Sequence, residues 1–137
     1  MWGFAKPAAA ASLAAAALFA CAPVDDRARS AASDLRVQQF VAGKVAGPPA
    51  SCLPSYSAND MIVIDGRTLS FRSVGNTTHI VHLTEGCSHL TSGGALLTKS
   101  FGGGGLCRGD IAQVIDTSSQ MISGSCAIRE IIPYRRP

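Results

Sequence analysis

Large aromatic side chains and charges are both scarce in this sequence. Phe, Trp and Tyr make up 6% of the 137 residues, so a hydrophobic core would have to consist mainly of Ile, Val and Leu. Charged residues make up 15%, the formal net charge is +3, and no run of Lys or Arg forms a basic segment. Because so small and dispersed a positive charge gives no indication of a polyanionic partner, we predict no binding to nucleic acid.

Motifs of metal, redox and phosphate chemistry are missing as well. No two cysteines lie two to four residues apart, which excludes zinc knuckles and the Cys-x-x-Cys motif of thioredoxin-like enzymes. His79 and His82 lie three apart in a predicted strand and so point to opposite faces. The glycines at 102–105 lack the Lys and the following helix of a phosphate-binding loop. We therefore predict no metal site and no cofactor.

No catalytic set is evident. None of the serines lies in a Gly-x-Ser-x-Gly or Ser-x-x-Lys motif. A carboxylate pair remains open, and its candidates are Asp60, Glu85, Asp110, Asp116 and Glu130. We assign no catalytic residue and favour a protein that is not an enzyme.

The first twenty residues have the layout of a secretory signal. A short start ends at Lys6, and residues 8–20 are apolar except for Ser12. As a helix this apolar stretch would span about 20 Å, which is less than the roughly 30 Å hydrocarbon core of a bilayer. The sequence therefore predicts export with a cleaved signal peptide rather than a permanent membrane span.

The residues at the end of this signal resemble a lipobox, the site at which bacterial lipoproteins are diacylated on Cys and cut just before it. Leu18 and Ala20 stand at the matching places before Cys21, while Phe19 is bulkier than the usual small residue. The alternative is ordinary cleavage after Ala22. We predict lipidation at Cys21, hence a membrane anchor facing the periplasm, with the outer membrane favoured.

Four cysteines remain after Cys21, an even number in an oxidising compartment. We predict that all four form structural disulfides. Sequence alone leaves three pairings open. We favour Cys52–Cys126, which would join the ends of the domain, and Cys87–Cys107, which would clip the base of the glycine-rich segment.

The hydrophobic pattern predicts an all-β domain preceded by one helix. Residues 25–42 are rich in helix formers and end before Gly43, with an apolar stripe at 37, 40 and 41 that either packs on the domain or forms a stalk. Short strands separated by turns follow at 61–64, 68–72, 78–84, 95–101, 111–115 and 121–128. The first two meet across Asp65-Gly66, a strong hairpin signal. About six strands at this spacing predict a small antiparallel barrel or sandwich.

These elements divide the chain into three predicted parts. Residues 1–20 are the signal peptide, residues 21–50 are the lipidated Cys with a helical stalk and linker, and residues 51–137 are the disulfide-stapled β domain.

Several segments resemble a family of short exported alphaproteobacterial proteins. They are residues 52–56, 59–61, 101–103, 106–110 and 133–137. The resemblance runs from about Asp25 to the end and implies that the four late cysteines form a framework. It implies no activity.

The preferred functional hypothesis is a non-catalytic envelope module that binds a protein or a glycan through its loops. One alternative is a periplasmic inhibitor of a hydrolase such as lysozyme, acting through Ser92-Gly93-Gly94 or the 102–105 loop. Another alternative is a small hydrolase. A concave pocket that holds His82 or Asp110 beside another titratable group would remove the preference for the binding module.

Overall fold

The computed structural model describes residues 26–53, 60–100 and 105–137. The predicted signal peptide, Cys21 and the 102–104 part of the glycine-rich segment lie outside the described residues. The elements in chain order are α1 (Asp26–Phe40), β1 (Val45–Ala46), β2 (Cys52–Leu53), β3 (Met61–Asp65), β4 (Thr68–Ser73), β5 (Thr77–Leu83), β6 (Gly94–Lys99), β7 (Leu106–Cys107), β8 (Ile111–Asp116) and β9 (Ile122–Arg135).

Six of these strands form one curled antiparallel sheet, a half-barrel, in the order β3-β4-β5-β9-β8-β6. The two-residue β1 joins it on β9, while β2 and β7 pair with each other in a separate small sheet. The prediction of an all-β domain with one helix is confirmed. Strand β9 is the centre of the sheet, because its first half pairs with β8 and its second half with β5.

The hairpin predicted at Asp65-Gly66 joins β3 to β4. The Asp65 carboxylate accepts a hydrogen bond from the Arg67 backbone N–H at 2.7 Å, which closes the turn. A Cβ on Gly66 would lie 2.7 Å from the Cα of Ser88, so the turn needs glycine because another backbone segment passes against it.

Strand β9 continues through Pro133, well beyond residue 128, where the last predicted strand ended. The Pro133 carbonyl accepts a hydrogen bond from Gly47 N–H on the β1 side. Because the N–H and C=O of one strand residue point to the same side, the missing N–H of Pro133 also faces the β1 side. The ladder with β5 therefore loses no bond, and His79 pairs with Pro133 in register.

The hydrophobic core lies on the inner face of the half-barrel. It is built mainly from Leu, Val and Ile with one aromatic ring, Phe71, as the composition predicted. Leu53 and Leu106, from the small β2–β7 sheet, are fully buried in the same cluster. Leu90, from the short 3-10 helix Ser88–Ser92, completes it.

Helix α1 covers part of the outer face. It contacts β3 and β4, and its half-buried positions include Val37 and Phe40, which belong to the predicted apolar stripe. Ile64 and Ile80 on that face are 2% and 0% exposed although they lie outside the main core cluster. Arg36 donates a hydrogen bond to the Ile64 carbonyl at 2.6 Å. Of the two roles left open for the helix, packing on the domain is the one observed.

All four late cysteines form disulfides, as predicted, but the predicted pairing is wrong. The bonds are Cys52–Cys107 and Cys87–Cys126. The prediction assumed that the last strand closes onto the first. Strand β9 instead lies between β5 and β8, which places Cys126 beside the segment that leaves β5, whereas Cys52 and Cys107 face each other across the β2–β7 ladder.

Two glycines permit the Cys87–Cys126 bond. A Cβ on Gly86 would lie 2.1 Å from the Ser125 carbonyl oxygen, and a Cβ on Gly124 would lie 2.2 Å from the Gly86 carbonyl oxygen. The two backbones therefore touch directly beside the bond, which only residues without a Cβ allow.

Candidate functional site

A cleft of about 950 Å³ opens beneath the middle of α1, and we call it the α1 cleft. Its walls are α1, the β3–β4 turn and the segment that follows β5. The lining residues are Ser30, Ala32, Ser33, Asp34, Arg36, Ile64, Asp65, Gly66, Arg67, Thr68, His82, Leu83, Glu85, Gly86, Ser88, Thr91 and Arg129. The lining thus carries three arginines, three carboxylates, one histidine and five hydroxyl groups, and no described lining residue is Phe, Tyr or Trp.

His82 is placed in the cleft by strand register. It pairs with Thr68 on β4 and with Glu130 on β9, so these three residues form a row across the outer face. Thr68 is buried, whereas His82 and Glu130 are half-buried. The row therefore brings a hydroxyl and an imidazole together at the floor of the cleft, with the Glu130 carboxylate next to His82 outside the lining.

Several charged groups of the cleft already have partners. Arg36 binds the Ile64 carbonyl, and Asp65 binds the turn at Arg67 N–H. Arg67 also forms a salt bridge with Glu85 at 3.3 Å. Because the Arg67 and Glu85 side chains are 46% and 88% exposed, this ion pair contributes little to stability.

Three other groups keep their hydrogen-bonding capacity. Within the described part of the chain, the side chains of Asp34, His82 and Arg129 make no hydrogen bond or salt bridge. They comprise an anion, an imidazole and a cation. The α1 cleft can therefore offer acceptors, donors and both signs of charge to one ligand.

The electrostatics of the cleft keep His82 neutral. Burial lowers the pKa of His82 below the usual 6.5, and the nearby Arg129 lowers it further. Glu130, Asp65 and Asp34 act in the opposite direction, with a smaller combined effect. A neutral imidazole can both donate and accept a hydrogen bond near neutral pH.

His79 lies on the inner face, which confirms that the two histidines point to opposite faces. It is 4% exposed, and its Nδ1 is 3.0 Å from the Ser73 hydroxyl. Burial lowers the pKa of His79, and Arg135 lowers it further. Among the described residues no three His, Cys, Asp or Glu side chains are grouped so that they could hold a metal ion.

The candidate carboxylates do not come together as a pair. Asp110 is 4% exposed and accepts a hydrogen bond from Cys107 N–H at 2.7 Å, so it stabilises the Arg108-Gly109 turn. Asp116 accepts hydrogen bonds from Ser118 and Ser119 in the β8–β9 turn. Glu85 and Glu130 lie near the α1 cleft, whereas Asp60 precedes β3 at the other end of the sheet.

The segment Ser92-Gly93-Gly94 is tied to the fold. It ends the short 3-10 helix and begins β6, and the Gly93 carbonyl accepts a hydrogen bond from the Thr117 hydroxyl at 2.9 Å. A Cβ on Gly94 would lie 2.4 Å from Val114. Of the 102–105 loop, only Gly105 is among the described residues.

Sequence reasoning found His82 but missed Asp34, Arg67 and Arg129 as parts of the same cleft. No local pattern links residues so far apart along the chain. The Asp65-Gly66 turn was a usable signal, because it fixes the register that places Thr68 opposite Asp65, and both residues line the cleft.

Comparison with known proteins gives no relative: no protein-family model, no curated protein and no solved structure matches the chain. Two disulfides are compatible with an exported protein in an oxidising environment. In the part of the chain that the structure describes, no helix is long and apolar enough to cross a membrane.

Proposed function

We propose that this chain is an exported envelope lipoprotein whose folded domain binds a polar ligand in the α1 cleft. The observation that carries the proposal is the set of side chains without partners, Asp34, His82 and Arg129, in one concave site. Polar groups that converge in a cleft of this size are typical of ligand-binding sites. The site is thus a cleft rather than the loops favoured from the sequence.

The chemistry of the lining indicates a ligand with both signs of charge. Arg129 suits a carboxylate or phosphate, Asp34 suits an amine, and the surrounding hydroxyls suit further hydrogen bonds. Because none of the described lining residues is Phe, Tyr or Trp, recognition relies on hydrogen bonds and charge rather than ring stacking. A glycan that carries a short peptide, or a peptide segment of an envelope protein, has this chemistry.

A small hydrolase is the second candidate, and the position of His82 favours it. The α1 cleft holds His82 with Asp65 and Asp34 close enough to influence its pKa, which meets the condition that removes the preference for the binding module. We nevertheless rank ligand binding above hydrolysis, for a different reason. Among the described residues His82 has no hydrogen bond to a hydroxyl or carboxylate, whereas a catalytic base is held within such reach of its partners.

A hydrolase inhibitor would need a protruding loop. One of the two loops considered for that role, Ser92-Gly93-Gly94, is held by a hydrogen bond from Thr117 and lies against Val114. This alternative is therefore third.

The binding proposal is tested with soluble disaccharide–peptide fragments of peptidoglycan, followed by ¹H–¹⁵N nuclear magnetic resonance. We expect shifts at the amides of Gly66, Thr68 and Ser88, since these residues line the cleft. Arg129→Gln and Asp34→Asn should each weaken binding about tenfold or more, in line with the loss of one charge-assisted hydrogen bond. Arg108→Gln, an exposed cation outside the lining, is the matched control.

Two results would decide against the proposal. Shifts that cluster away from the cleft, or equal affinity in Arg129→Gln and Arg108→Gln, would refute the site. Cleavage of the fragments, detected by mass spectrometry and abolished by His82→Gln, would replace binding with the hydrolase.

The lipid anchor is tested separately by weighing the mature protein from a bacterial host. We expect a chain that begins at Cys21 and carries acyl mass, since Leu18 and Ala20 match the lipobox. Cys21→Ser should release soluble protein or stall processing. An unmodified chain that begins at Pro23 would contradict lipidation.

A further inference from the structure

Cations that are far apart in the sequence meet at one end of the sheet. Arg72 on β4 pairs with Thr78 on β5, and the Lys44 ammonium donates a hydrogen bond to the Thr78 hydroxyl at 2.5 Å. Thr78 also pairs with Tyr134 on β9, so these residues share the outer face, whereas the next residue, Arg135, lies with its partner Val45 on the inner face of the same edge. We call this surface, formed by Lys44, Arg72, Arg135 and Arg136 with their neighbours Val45 and Tyr134, the basic rim.

The positive charge of the basic rim is largely unopposed. Among the residues that the structure describes, the register places one carboxylate beside it, Asp60, which precedes the β3 residue that pairs with Phe71 and so lies next to Arg72. Within the described residues Arg67–Glu85 is the only salt bridge, and it belongs to the α1 cleft at the other end of the sheet. By sequence, residues 54–59 and 101–104 contain no charged side chain and cannot neutralise the rim.

Apolar groups accompany these cations. Val45, which pairs with Arg135, is 61% exposed, and Tyr134 is half-buried. Exposed cations beside an aliphatic and a phenolic side chain are typical of surfaces that lie in the interface of a bilayer. A fully hydrophilic anionic polymer would leave the exposed Val45 without a partner.

We infer that the basic rim docks on an anionic lipid bilayer. The rim follows the C-terminal end of α1, a helix of 15 residues and so about 22 Å long. Because the cations and Val45 lie on both faces of this edge, the rim meets the bilayer with the edge itself rather than with one face of the sheet. The inference does not depend on the α1 cleft.

The test uses the soluble Cys21→Ser chain and sedimentation with vesicles, so that the lipid makes no contribution. We expect binding to vesicles of 3:1 phosphatidylcholine to phosphatidylglycerol, loss of that binding at 0.5 M salt, and weak binding to pure phosphatidylcholine. Arg72→Gln/Arg135→Gln should lower the affinity about 25-fold, since each Arg near an anionic surface contributes about fivefold. Lys99→Gln/Arg108→Gln removes the same charge from exposed positions elsewhere and should change it much less.

The Val45→Ser variant distinguishes binding to a bilayer from binding to a soluble polyanion. It leaves the charge unchanged and should lower vesicle affinity severalfold, because an exposed aliphatic group inserts only into lipid. Equal losses in the two double variants would overturn the inference, since net charge alone would then explain binding. Tight binding to the carboxylated polymer alginate without binding to vesicles would also overturn it. Thermal unfolding of both double variants and of Val45→Ser verifies that each of them keeps the fold.

Discussion

Replacing Cys87 and Cys126 together by alanine is expected to lower the free energy of unfolding by about 5 kcal/mol. The bond closes a sequence separation of 39 residues, which the chain-entropy model values at about 4 kcal/mol. Both residues also belong to the core, with exposures of 0% and 6%, so losing the sulfurs removes packing worth on the order of 1 kcal/mol. Since domains of this size are stable by about 5–15 kcal/mol, the loss is a large part of the total.

The matched control is Cys52→Ala/Cys107→Ala. This bond spans 55 residues and has an entropic contribution of about 4 kcal/mol, but Cys52 is exposed and Cys107 half-buried. Its removal should therefore cost less than removal of the buried bond. Urea unfolding followed by circular dichroism measures both. A larger loss for the Cys52/Cys107 pair would show that burial of the sulfurs does not decide the order.

Gly86→Ala is expected to destabilise the protein by about 3 kcal/mol or more, because two penalties act together. Gly86 has φ +114°, a conformation that L residues rarely adopt, and its Cβ would lie 2.1 Å from the Ser125 carbonyl oxygen. Neither the β5 end nor β9 can move apart freely, since Cys87 and Cys126 are bonded one residue further along each segment.

Substitutions at two other glycines measure the backbone strain and the steric clash separately. Gly93 has φ +92° with nothing within 4 Å of its Cβ position, so Gly93→Ala should cost only about 1 kcal/mol of backbone strain. Gly124 has no positive φ, but its Cβ would lie 2.2 Å from the Gly86 carbonyl, so Gly124→Ala measures the steric clash. Urea midpoints provide the comparison. Equal losses for Gly86→Ala and Gly93→Ala would refute the close contact.

Local signals predicted the elements well, because each depends on a few neighbouring residues. The Asp65-Gly66 turn fixed a hairpin, and Gly43 marked the region where α1 has ended. Strand order depends instead on which distant strands bury their apolar faces together. Nothing near Cys126 indicates that β9 lies between β5 and β8, and the disulfide pairing was wrong for that reason.

The candidate site was predictable only in part. The alternation of a strand correctly separated His79 from His82. The α1 cleft, however, exists because α1 packs on the outer face, where Arg36 reaches the Ile64 carbonyl 28 residues away. The basic rim likewise depends on the register of β4, β5 and β9, which brings Arg72 to the same edge of the sheet as Arg135 although 62 residues lie between them in the sequence.

The two disulfides interlock along the chain, and this constrains how the protein matures. Cys87 lies inside the loop closed by Cys52–Cys107, and Cys107 lies inside the loop closed by Cys87–Cys126. A chain that enters an oxidising compartment amino terminus first presents Cys52 and Cys87 before either native partner. If the proposed lipid blocks the Cys21 sulfur, an oxidant that joins thiols in order of arrival therefore makes a non-native Cys52–Cys87 bond first. The native framework then requires thiolate attack on that bond by a later cysteine or by an isomerase, so maturation depends on disulfide exchange as well as on oxidation.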